Sequence, residues 1–454
     1  MSKLKAVILA AGAGTRMVSD VPKVLHKILD KSMLAYVIEA AREAGAQEIC
    51  VVVGHKAEMV KNALQGQVVF AEQIQQLGTG HAVMQAESFI GDEGKVLILF
   101  GDTPLITGTT LKQMVDDHEK SGRAVTVLST LISDSTGYGR IVRSEDNQFQ
   151  KSVEHKDATD SQRQIKEINS GMYCFEAAIL KDALKAITNH NAQGEYYLPD
   201  TLTHIMDQKL IVDAMVIDRF EEVLGVNDRV QLAAVSKIMQ KRINEAHMRN
   251  GVGMIDPDQV YISKEVQIDR DTVLYPGTIL EGNTKIGAHC SIGPQSRIVN
   301  SSVDAHTSVE CSTVLNSKIG SETHIGPYAY IRPNCSIGDG VKIGDFVEIK
   351  NAVIGNGTKV SHLTYIGDAD VGEKVNFGCG TVVVNYDGVH KHRTTVKDRA
   401  FIGCNTNLVS PVVVEENAYT AAGSTITKDV PAYSLGIARE KQVNIDDWVR
   451  RKKK

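Results

Sequence analysis

The chain has 454 residues, 42% hydrophobic and 23% charged, as expected of a globular protein with two or three domains. Its formal net charge of −5 leaves no domain-wide basic excess, which argues against nucleic acid as a partner. The apolar run near the N-terminus spans only about seven residues, too short for a signal sequence or a membrane span, so we expect a cytoplasmic protein without membrane insertion.

Short apolar strands alternate with amphipathic helices through residues 1–226. Strands are predicted at residues 5–10, 48–53 and 96–100, and a helix at residues 33–44. The segment 96–100 is apolar throughout and bounded by glycines, which is typical of a strand buried on both faces. This alternation predicts an α/β fold with an open, mostly parallel sheet, which binds ligands outside the carboxyl ends of its strands.

A glycine-rich turn, residues 11–14, follows the first strand. Such a turn lets backbone N–H groups approach phosphate oxygens closely. It lacks the Gly-Lys-Ser/Thr ending of a P-loop, and Met17 replaces the third glycine of a dinucleotide fingerprint. Taken alone it also fits an ordinary turn between strand and helix. Arg16 and Lys23, however, add cations suited to phosphate.

Asp102 comes just past the carboxyl end of the segment 96–100, after Gly101. A carboxylate at this position can hold Mg²⁺ against a triphosphate. The alternative is an aspartate that caps the turn before Pro104. The glycine-rich loop in the same sheet favours the magnesium interpretation.

Residues 227–250 have a helical pattern, with Val230, Ala234, Ile238 and Met239 on one stripe. We predict a linker helix here, because Asn250 and Gly251 then end the pattern.

Residues 251–454 follow a period of six, which matches neither an α-helix nor a simple alternating strand. The clearest run is Ile319, Ile325, Ile331, Ile337, Ile343 and Ile349. Three six-residue segments would form one coil of about eighteen residues, with the aliphatic side chains stacked inside. The period therefore predicts a parallel β-helix.

The seven cysteines show no paired spacing, so we expect reduced, mostly buried thiols rather than a zinc site.

The chain resembles the bacterial bifunctional GlmU family in motifs that span essentially its whole length. The first half contains, in order, LAAGAGTRM, PKVLH, QLGTGHA, GDTPLI, TGYGRI, VEHKDAT, EINSGMY and NAQGEYYLPD. The second half contains IRPNCSIGDGVKIGDFVEIKNA, SHLTYIGDADVG, GTVVVNYDG and TAAGSTITKDVP. The resemblance implies a pyrophosphorylase (uridyltransferase) domain at 1–226, a linker helix at 227–250 and a left-handed β-helix N-acetyltransferase domain at 251–454.

The resemblance also implies the residues of the first site. Those matching positions that bind UTP and UDP-N-acetylglucosamine are Ala11, Gly12, Ala13, Gly14, Lys23, Gln73, Gly78, Thr79, Gly101, Asp102, Gly139, Glu154, Asn169 and Asn227. Of these, Gly139, Glu154 and Asn169 match the positions that bind the sugar. Asp102 and Asn227 match the Mg²⁺ ligands, and we expect Arg16 and Lys23 to neutralise phosphate charge during catalysis. For Gln73, the alternative to a binding role is a side-chain amide on a solvated loop. Ala13 stands where relatives often carry a longer polar residue, which a backbone role would tolerate.

His362 is the strongest candidate in the second half. An imidazole that titrates near neutrality suits removal of a proton from an amino sugar during acetylation. The alternative is a surface histidine on a β-helix face. The resemblance assigns His362 as the base, and Arg332, Lys350, Tyr365 and Asn376 as contacts of glucosamine 1-phosphate.

The positions implied to line acetyl-CoA are Cys379, Asn385, Tyr386, Cys404, Ala422 and Arg439. Cys379 and Cys404 depart from the alanine and serine common there, which could make the site sensitive to thiol reagents. The segment 387–394 breaks the six-residue rhythm, and we predict a projecting loop that walls the acetyl-CoA site.

The resemblance thus implies acetyl transfer from acetyl-CoA to glucosamine 1-phosphate, then uridylyl transfer from UTP with release of pyrophosphate. The product would supply cell-envelope precursors for peptidoglycan and lipopolysaccharide, and the family implies a homotrimer. One rival interpretation is a single-activity nucleotidyltransferase whose β-helix serves only for assembly, although such a module has no reason to combine His362 with Arg332 and Lys350. Another is a non-catalytic sugar-nucleotide sensor.

Overall fold

A computed structural model describes residues 3–452. They form two compact units that divide between Met239 and Gln240, within the helix Arg229–Arg249. In this part of the chain, no helix is long and apolar enough to span a bilayer.

The first unit is built on a mostly parallel sheet. Seven of the strands described in residues 3–452 follow each other across it in the order Val212–Ile217, Val125–Leu131, Glu167–Glu176, Lys95–Phe100, Leu4–Ala10, Glu48–Val53 and Val69–Glu72. Glu167–Glu176 runs antiparallel to both neighbours, and it also pairs with Gly139–Arg143, which is joined by Phe149–Val153. The expected open, mostly parallel sheet is confirmed.

Apolar layers cover both faces of this sheet. In Leu4–Ala10, the side chains of Ala6 and Ile8 join one buried cluster, and those of Val7 and Leu9 join the other, because successive strand residues point to opposite faces. The helices of the first unit are Met33–Glu43, Ala57–Ala63, Thr79–Met84, Glu87–Ile90, Gly108–Ser121, Asp160–Arg163, Ala177–Ala186 and Asp200–Asp207. A small hairpin, Lys27–Ile28 with Lys31–Ser32, precedes the first of them.

The linker helix begins at Arg229, two positions after the start of the predicted segment. The reason is a local cap: the Asp228 carboxylate accepts a hydrogen bond of 2.8 Å from the backbone N–H of Gln231. The helix ends at Arg249, and the following glycine, Gly251, has a φ of 93°. This end agrees with the sequence pattern.

The second unit is a parallel β-helix with three faces, each formed by strands from successive coils. The first face contains Gly253–Met254, Val273–Leu274, Ser291–Ile292, Ser308–Val309, His324–Ile325, Lys342–Asp345, Lys359–His362, Asn376–Phe377, Phe401–Ile402, Tyr419–Thr420 and Leu435–Gly436. The second face contains Tyr261–Ile262, Ile279–Glu281, Arg297–Val299, Thr313–Leu315, Tyr330–Ile331, Glu348–Lys350, Tyr365–Gly367, Val382–Val384, Asn407–Val409 and Thr425–Ile426. The third face contains Gln267–Ile268, Lys285–Ile286, Ser302–Val303, Lys318–Ile319, Ser336–Ile337, Val353–Ile354, Ala369–Val371, Thr394–Val396 and Val413–Val414.

The isoleucines of the six-residue period face inward. Those from Ile319 to Ile349 are all buried, and they belong to one continuous apolar core that runs through the coils. Ile331, for example, pairs with Ile349 on the next coil of the second face. The predicted parallel β-helix is confirmed. The irregular connection between the strands Val382–Val384 and Thr394–Val396 spans residues 385–393, so it ends one residue earlier than the predicted loop 387–394, because Thr394 is buried in the next strand.

Candidate functional site

The first candidate site lies where two neighbouring strands end. Leu4–Ala10 and Lys95–Phe100 are adjacent and parallel, with Leu9 paired to Phe100. The backbone N–H of Gly101 donates to the Leu9 carbonyl at 2.9 Å, which holds the two strand ends together. The glycine-rich loop and Asp102 follow these two ends, so the sheet brings them to one edge.

A cavity of about 280 Å³ opens at this edge. Among the residues that the sequence assigned to the nucleotide, those that line it are Ala11, Gly12, Lys23, Gln73, Gly78, Thr79 and Asp102. Ala13 and Gly14 lie in the same loop without lining the cavity, and Arg16 is exposed in the short 3₁₀ turn Thr15–Met17. The structure therefore gathers most of the predicted set in one concave site.

Gly14 is required by the way the loop packs on Lys23. Its φ is 60°, a left-handed conformation that side chains rarely adopt. A Cβ at this position would lie 2.7 Å from the Cβ of Lys23. The absence of a side chain at Gly14 therefore allows the loop to approach the lysine.

Lys23 lies between the two residues that the resemblance assigned to magnesium. Its ammonium forms an ion pair with the Asp102 carboxylate, and it lies 3.2 Å from the Asn227 Oδ1 atom. The backbone N–H of Val226 donates to the Asp102 carbonyl at 2.9 Å, which holds the segment before Asn227 against this strand end. The side-chain oxygens of Asp102 and Asn227 thus face one cation.

This donor set fits Mg²⁺. A carboxylate and an amide oxygen are hard donors, and proteins commonly bind Mg²⁺ through one or two such groups while waters and substrate phosphates fill the other positions. Because the Lys23 ammonium lies beside both oxygens, it would have to move or to share phosphate oxygens with the ion.

Gln73 is buried rather than solvated. Its Nε2 atom donates to the Gly78 carbonyl at 3.1 Å and lies 3.1 Å from Nδ1 of His81. Both contacts fix the orientation of the amide at the cavity wall. The solvated-loop alternative is therefore wrong for this residue.

A second cavity, of about 250 Å³, adjoins the first, and Thr79, Phe100 and Asp102 line both. It is lined by Gly139, Glu154 and Asn169, the three residues that the sequence assigned to the sugar. Burial raises the pKa of the Glu154 carboxyl, with smaller effects from nearby carboxylates. Nucleotide-side and sugar-side residues therefore meet at Asp102.

Asn169 is held rigidly in this second cavity. Its Nδ2 atom donates to Ser152 Oγ at 2.9 Å and to the Tyr173 hydroxyl at 2.8 Å. Its Oδ1 atom accepts from the backbone N–H of Gly171 at 2.8 Å. A fully paired amide of this kind gives the cavity a fixed polar wall.

In the β-helix, His362 is the last residue of its strand on the first face, where the coil turns a corner, and it bonds to an acid on the preceding coil. Asp345 and His362 are opposite each other in the parallel register, and Asp345 Oδ1 lies 2.7 Å from His362 Nδ1. The hydrogen bond with His362 lowers the pKa of the Asp345 carboxyl. The side chain of His362 remains 60% exposed, so its other nitrogen is open to a substrate.

Cationic and acidic side chains alternate on the second face beside this corner. Ile331 and Ile349 are paired on adjacent coils. Arg332 and Lys350 each come directly after one of these isoleucines, so they occupy equivalent positions on the two coils. Arg332 Nη1 bonds to Glu348 Oε1 at 2.9 Å. Tyr365 is opposite Glu348 on the next coil.

Asp368 organises the polar groups around Lys350. Its carboxylate accepts hydrogen bonds from Asn385 and, at 2.6 Å, from Asn351, and it lies 3.7 Å from the Lys350 ammonium. Burial opposes the negative charge, but these partners outweigh it and lower the pKa of Asp368. The nearby Lys391 side chain, and then desolvation, lower the pKa of Lys350.

Several residues assigned to acetyl-CoA continue the column that begins with Asp345 and His362. The register of the first-face strands places Cys379 one coil after His362. Cys404 lies one coil after Cys379, and Ala422 lies one coil after Cys404.

The remaining assigned residues lie around this column. Asn376 is on the first face, Tyr386 is in the connection 385–393, and Arg439 is exposed beyond the last strand. The structure brings Arg439 into no hydrogen bond or ion pair with the others among the described residues.

The sequence argument missed three acids: Asp345, Glu348 and Asp368. An acid one coil before His362 is a signal that could have been sought. A strict period of eighteen, however, points to Gly344, whereas the structure pairs His362 with Asp345 because this coil is one residue shorter. The partner of His362 therefore depends on the exact length of one corner.

Comparison with known proteins agrees with this two-part organisation. The nucleotidyl transferase family matches residues 5–220, and the bacterial transferase hexapeptide family, with six repeats, matches residues 316–351. The chain is 53% identical to the bifunctional protein GlmU of Clostridium acetobutylicum, over 98% of each chain. It is 55% identical to the bifunctional protein GlmU of Caldanaerobacter subterraneus, over 99% of this chain and 98% of the relative. It is 52% identical to the bifunctional protein GlmU of Acetivibrio thermocellus, over 100% of this chain and 98% of the relative.

Proposed function

The chain belongs to the GlmU family of bifunctional enzymes, and on that premise we propose which of its residues carry each of its two reactions. It is a bifunctional transferase of UDP-N-acetylglucosamine synthesis, which combines a nucleotidyltransferase α/β domain with a left-handed β-helix of hexapeptide repeats. The observation that supports the assignment is that each half gathers cationic side chains suited to phosphate: Lys23 lines the cavity at the sheet edge, and Arg332 and Lys350 occupy equivalent positions on adjacent coils of the β-helix.

In the first half, the proposed reaction is attack of the sugar-phosphate oxygen of N-acetylglucosamine 1-phosphate on the α-phosphorus of UTP, which expels pyrophosphate. Ala11, Gly12 and Gln73 would orient the nucleotide, and Gly139, Glu154 and Asn169 would hold the sugar. Lys23 and Arg16 would neutralise phosphate charge. Asp102 and Asn227 would hold Mg²⁺, which supplies charge neutralisation to the triphosphate when bound.

In the second half, we propose that His362 removes a proton from the amino group of glucosamine 1-phosphate as that group attacks the thioester carbonyl of acetyl-CoA. The Asp345 carboxylate accepts a hydrogen bond from the Nδ1–H group of His362, which leaves Nε2 unprotonated as the base. Arg332 and Lys350 supply positive charge for the sugar phosphate, with Tyr365 and Asn376 at the sugar. The free thiol of coenzyme A is the second product.

The experiment that tests both halves supplies glucosamine 1-phosphate, acetyl-CoA, UTP and magnesium to the purified chain. We expect UDP-N-acetylglucosamine, pyrophosphate and free coenzyme A. His362→Ala should abolish acetyl transfer and spare uridylyl transfer from N-acetylglucosamine 1-phosphate. An active, folded chain that makes no UDP-linked product would reject the function, and unchanged acetylation by His362→Ala would reject the assignment of this residue.

We also propose a homotrimer that works in the cytoplasm, where UTP and acetyl-CoA are available. Hexapeptide-repeat prisms offer flat faces for side-by-side packing, which favours a closed cyclic assembly. Sedimentation equilibrium checks this: the expected mass is three times that of the chain, and the mass of a monomer or dimer would reject the trimer.

A further inference from the structure

Cys379 and Cys404 occupy equivalent positions on adjacent coils. Asn376–Phe377 pairs in parallel with Phe401–Ile402, and each cysteine comes two residues after the end of its strand. All seven cysteines lie within the described residues, and these two are the exposed ones. The other five are Cys50, Cys174, Cys290 and Cys335, which are buried, and Cys311, which is half-buried.

Backbone hydrogen bonds on both sides fix the two coils at this point. The N–H of Gly378 donates to the Ile402 carbonyl at 2.7 Å, and the N–H of Asn405 donates to the Cys379 carbonyl at 2.7 Å. Neighbouring strands are about 4.8 Å apart. This separation falls within the Cα–Cα range of about 4.4–6.8 Å found in disulfides. The spacing of the two coils is therefore compatible with a bond between the two sulfur atoms.

The pair also continues the column of the acetyl-transfer site. His362 lies one coil before Cys379, and Ala422 lies one coil after Cys404. Under the proposed function, on which this step rests, acetyl-CoA lies along the same column. A covalent link between the two sulfur atoms would draw their side chains together and change this surface.

We propose that Cys379 and Cys404 form a reversible intramolecular disulfide in the presence of a peroxide, and that this bond stops acetyl transfer. One thiolate attacks a peroxide oxygen and breaks the O–O bond, which gives a sulfenic acid and water. The second thiol then displaces the sulfenic oxygen as water and forms the S–S bond. In sum, two thiols and one hydrogen peroxide give one disulfide and two waters, and a dithiol reductant reverses the change.

Peptide mapping identifies this bond directly. The full-length chain is treated with hydrogen peroxide, alkylated and digested with trypsin without reductant. Cleavage after Lys374, Lys391, Arg399 and Lys428 places Cys379 in peptide 375–391 and Cys404 in peptide 400–428, each with a single cysteine. We expect these two peptides to be linked, and to separate after dithiothreitol.

Activity is measured in the same samples. Acetyl transfer should fall at least about tenfold on oxidation, since small displacements at a positioned site reduce rates by this order or more. Dithiothreitol should restore it, and uridylyl transfer should stay constant, which also shows that the chain remains folded.

Each variant is compared with its own untreated sample. Cys379→Ser and Cys404→Ser should form no linked peptide and should keep their acetyl transfer in peroxide. Cys311→Ser, the matched control, should behave as the unmodified chain does.

Two results would overturn the proposal: oxidised chain without the linked peptide, or linked chain that acetylates at the untreated rate. Untreated chain without any acetyl transfer would instead reject the proposed function, and the peptide map distinguishes that failure from failure of the disulfide.

Discussion

Asp345 and His362 lie on neighbouring coils of the β-helix, joined by a hydrogen bond of 2.7 Å between Oδ1 and Nδ1. The register of a parallel sheet, rather than proximity in the chain, creates this pair.

Asp345→Asn should lower the kcat of acetyl transfer, by as much as about 10⁴-fold, because the Asp345 carboxylate holds the tautomer and the orientation of His362. The KM for glucosamine 1-phosphate should change little, because Arg332 and Lys350, the residues proposed to bind the sugar phosphate, are unchanged. Steady-state kinetics measures kcat and KM separately and so distinguishes the two effects. Asp304→Asn, at an exposed acid elsewhere on the coils, is the control. An unchanged kcat for Asp345→Asn would show that His362 needs no such partner.

Asp102→Asn should lower uridylyl transfer by at least about 100-fold, because Asp102 is one of the two residues proposed to hold the Mg²⁺ that neutralises charge on the phosphates in the transition state. The variant should also need more magnesium for half-maximal rate, while acetyl transfer remains as in the unmodified chain. A magnesium titration of pyrophosphate release measures both effects. Asp116→Asn, at an exposed helical acid, should leave the titration unaltered. A normal titration for Asp102→Asn would contradict the assigned metal site.

Gly14→Ala should raise the KM for UTP, because the new Cβ would meet Lys23 at 2.7 Å and displace it. Gly66→Ala is the matched control: its φ of 75° is also positive, but a Cβ there meets nothing within 4 Å. Both variants carry a local strain of roughly 1–2 kcal/mol. If strain alone mattered, the two would show the same kinetics for UTP.

Stability should depend on pH through His118, which is 1% exposed. Desolvation lowers its pKa, against the opposing effect of Glu176; Lys95 and Arg123 act in the same direction as burial. Below about pH 6.5, His118 therefore binds a proton more readily in the unfolded chain than in the folded chain. Because of this difference, the free energy of unfolding falls as the pH is lowered. His26 and His247, whose pKa values burial also lowers, contribute with the same sign.

Denaturant titrations between about pH 7 and about pH 5 measure this slope, to which one group contributes at most about 1.4 kcal/mol per pH unit. His118→Gln keeps a polar side chain but cannot titrate, so its slope should be smaller. An unchanged slope would mean that His118 is not a source of the acid sensitivity.

Ile354→Ala should lower the free energy of unfolding by about 2–5 kcal/mol, the cost of a cavity in a packed core. Its neighbour Val353 is 47% exposed on the same strand, so Val353→Ala should have a much smaller effect. Thermal unfolding of both variants measures the difference. Equal effects would contradict the inward orientation of the isoleucine column.

Much of the fold was predictable from the sequence because burial is recorded in local periodicity. The segment 96–100 is uniformly apolar because it is covered on both faces, and Ile319 to Ile349 repeat every six residues because each fills the interior of one coil. The motifs likewise identified Lys23, Asp102 and His362 as candidates, since their residue types suit phosphate, metal and proton transfer.

Other features were set only by tertiary contacts. Asp102 and Asn227 are far apart in the chain, and strand order together with the hydrogen bond from Val226 brings them to the same lysine. Sequence alone could not exclude Gly14 from the cavity wall or choose Asp345 over Gly344 as the neighbour of His362. Periodicity specifies which side of an element is buried, whereas partners across strands and coils depend on register and corner length, which are fixed when the whole sheet is assembled.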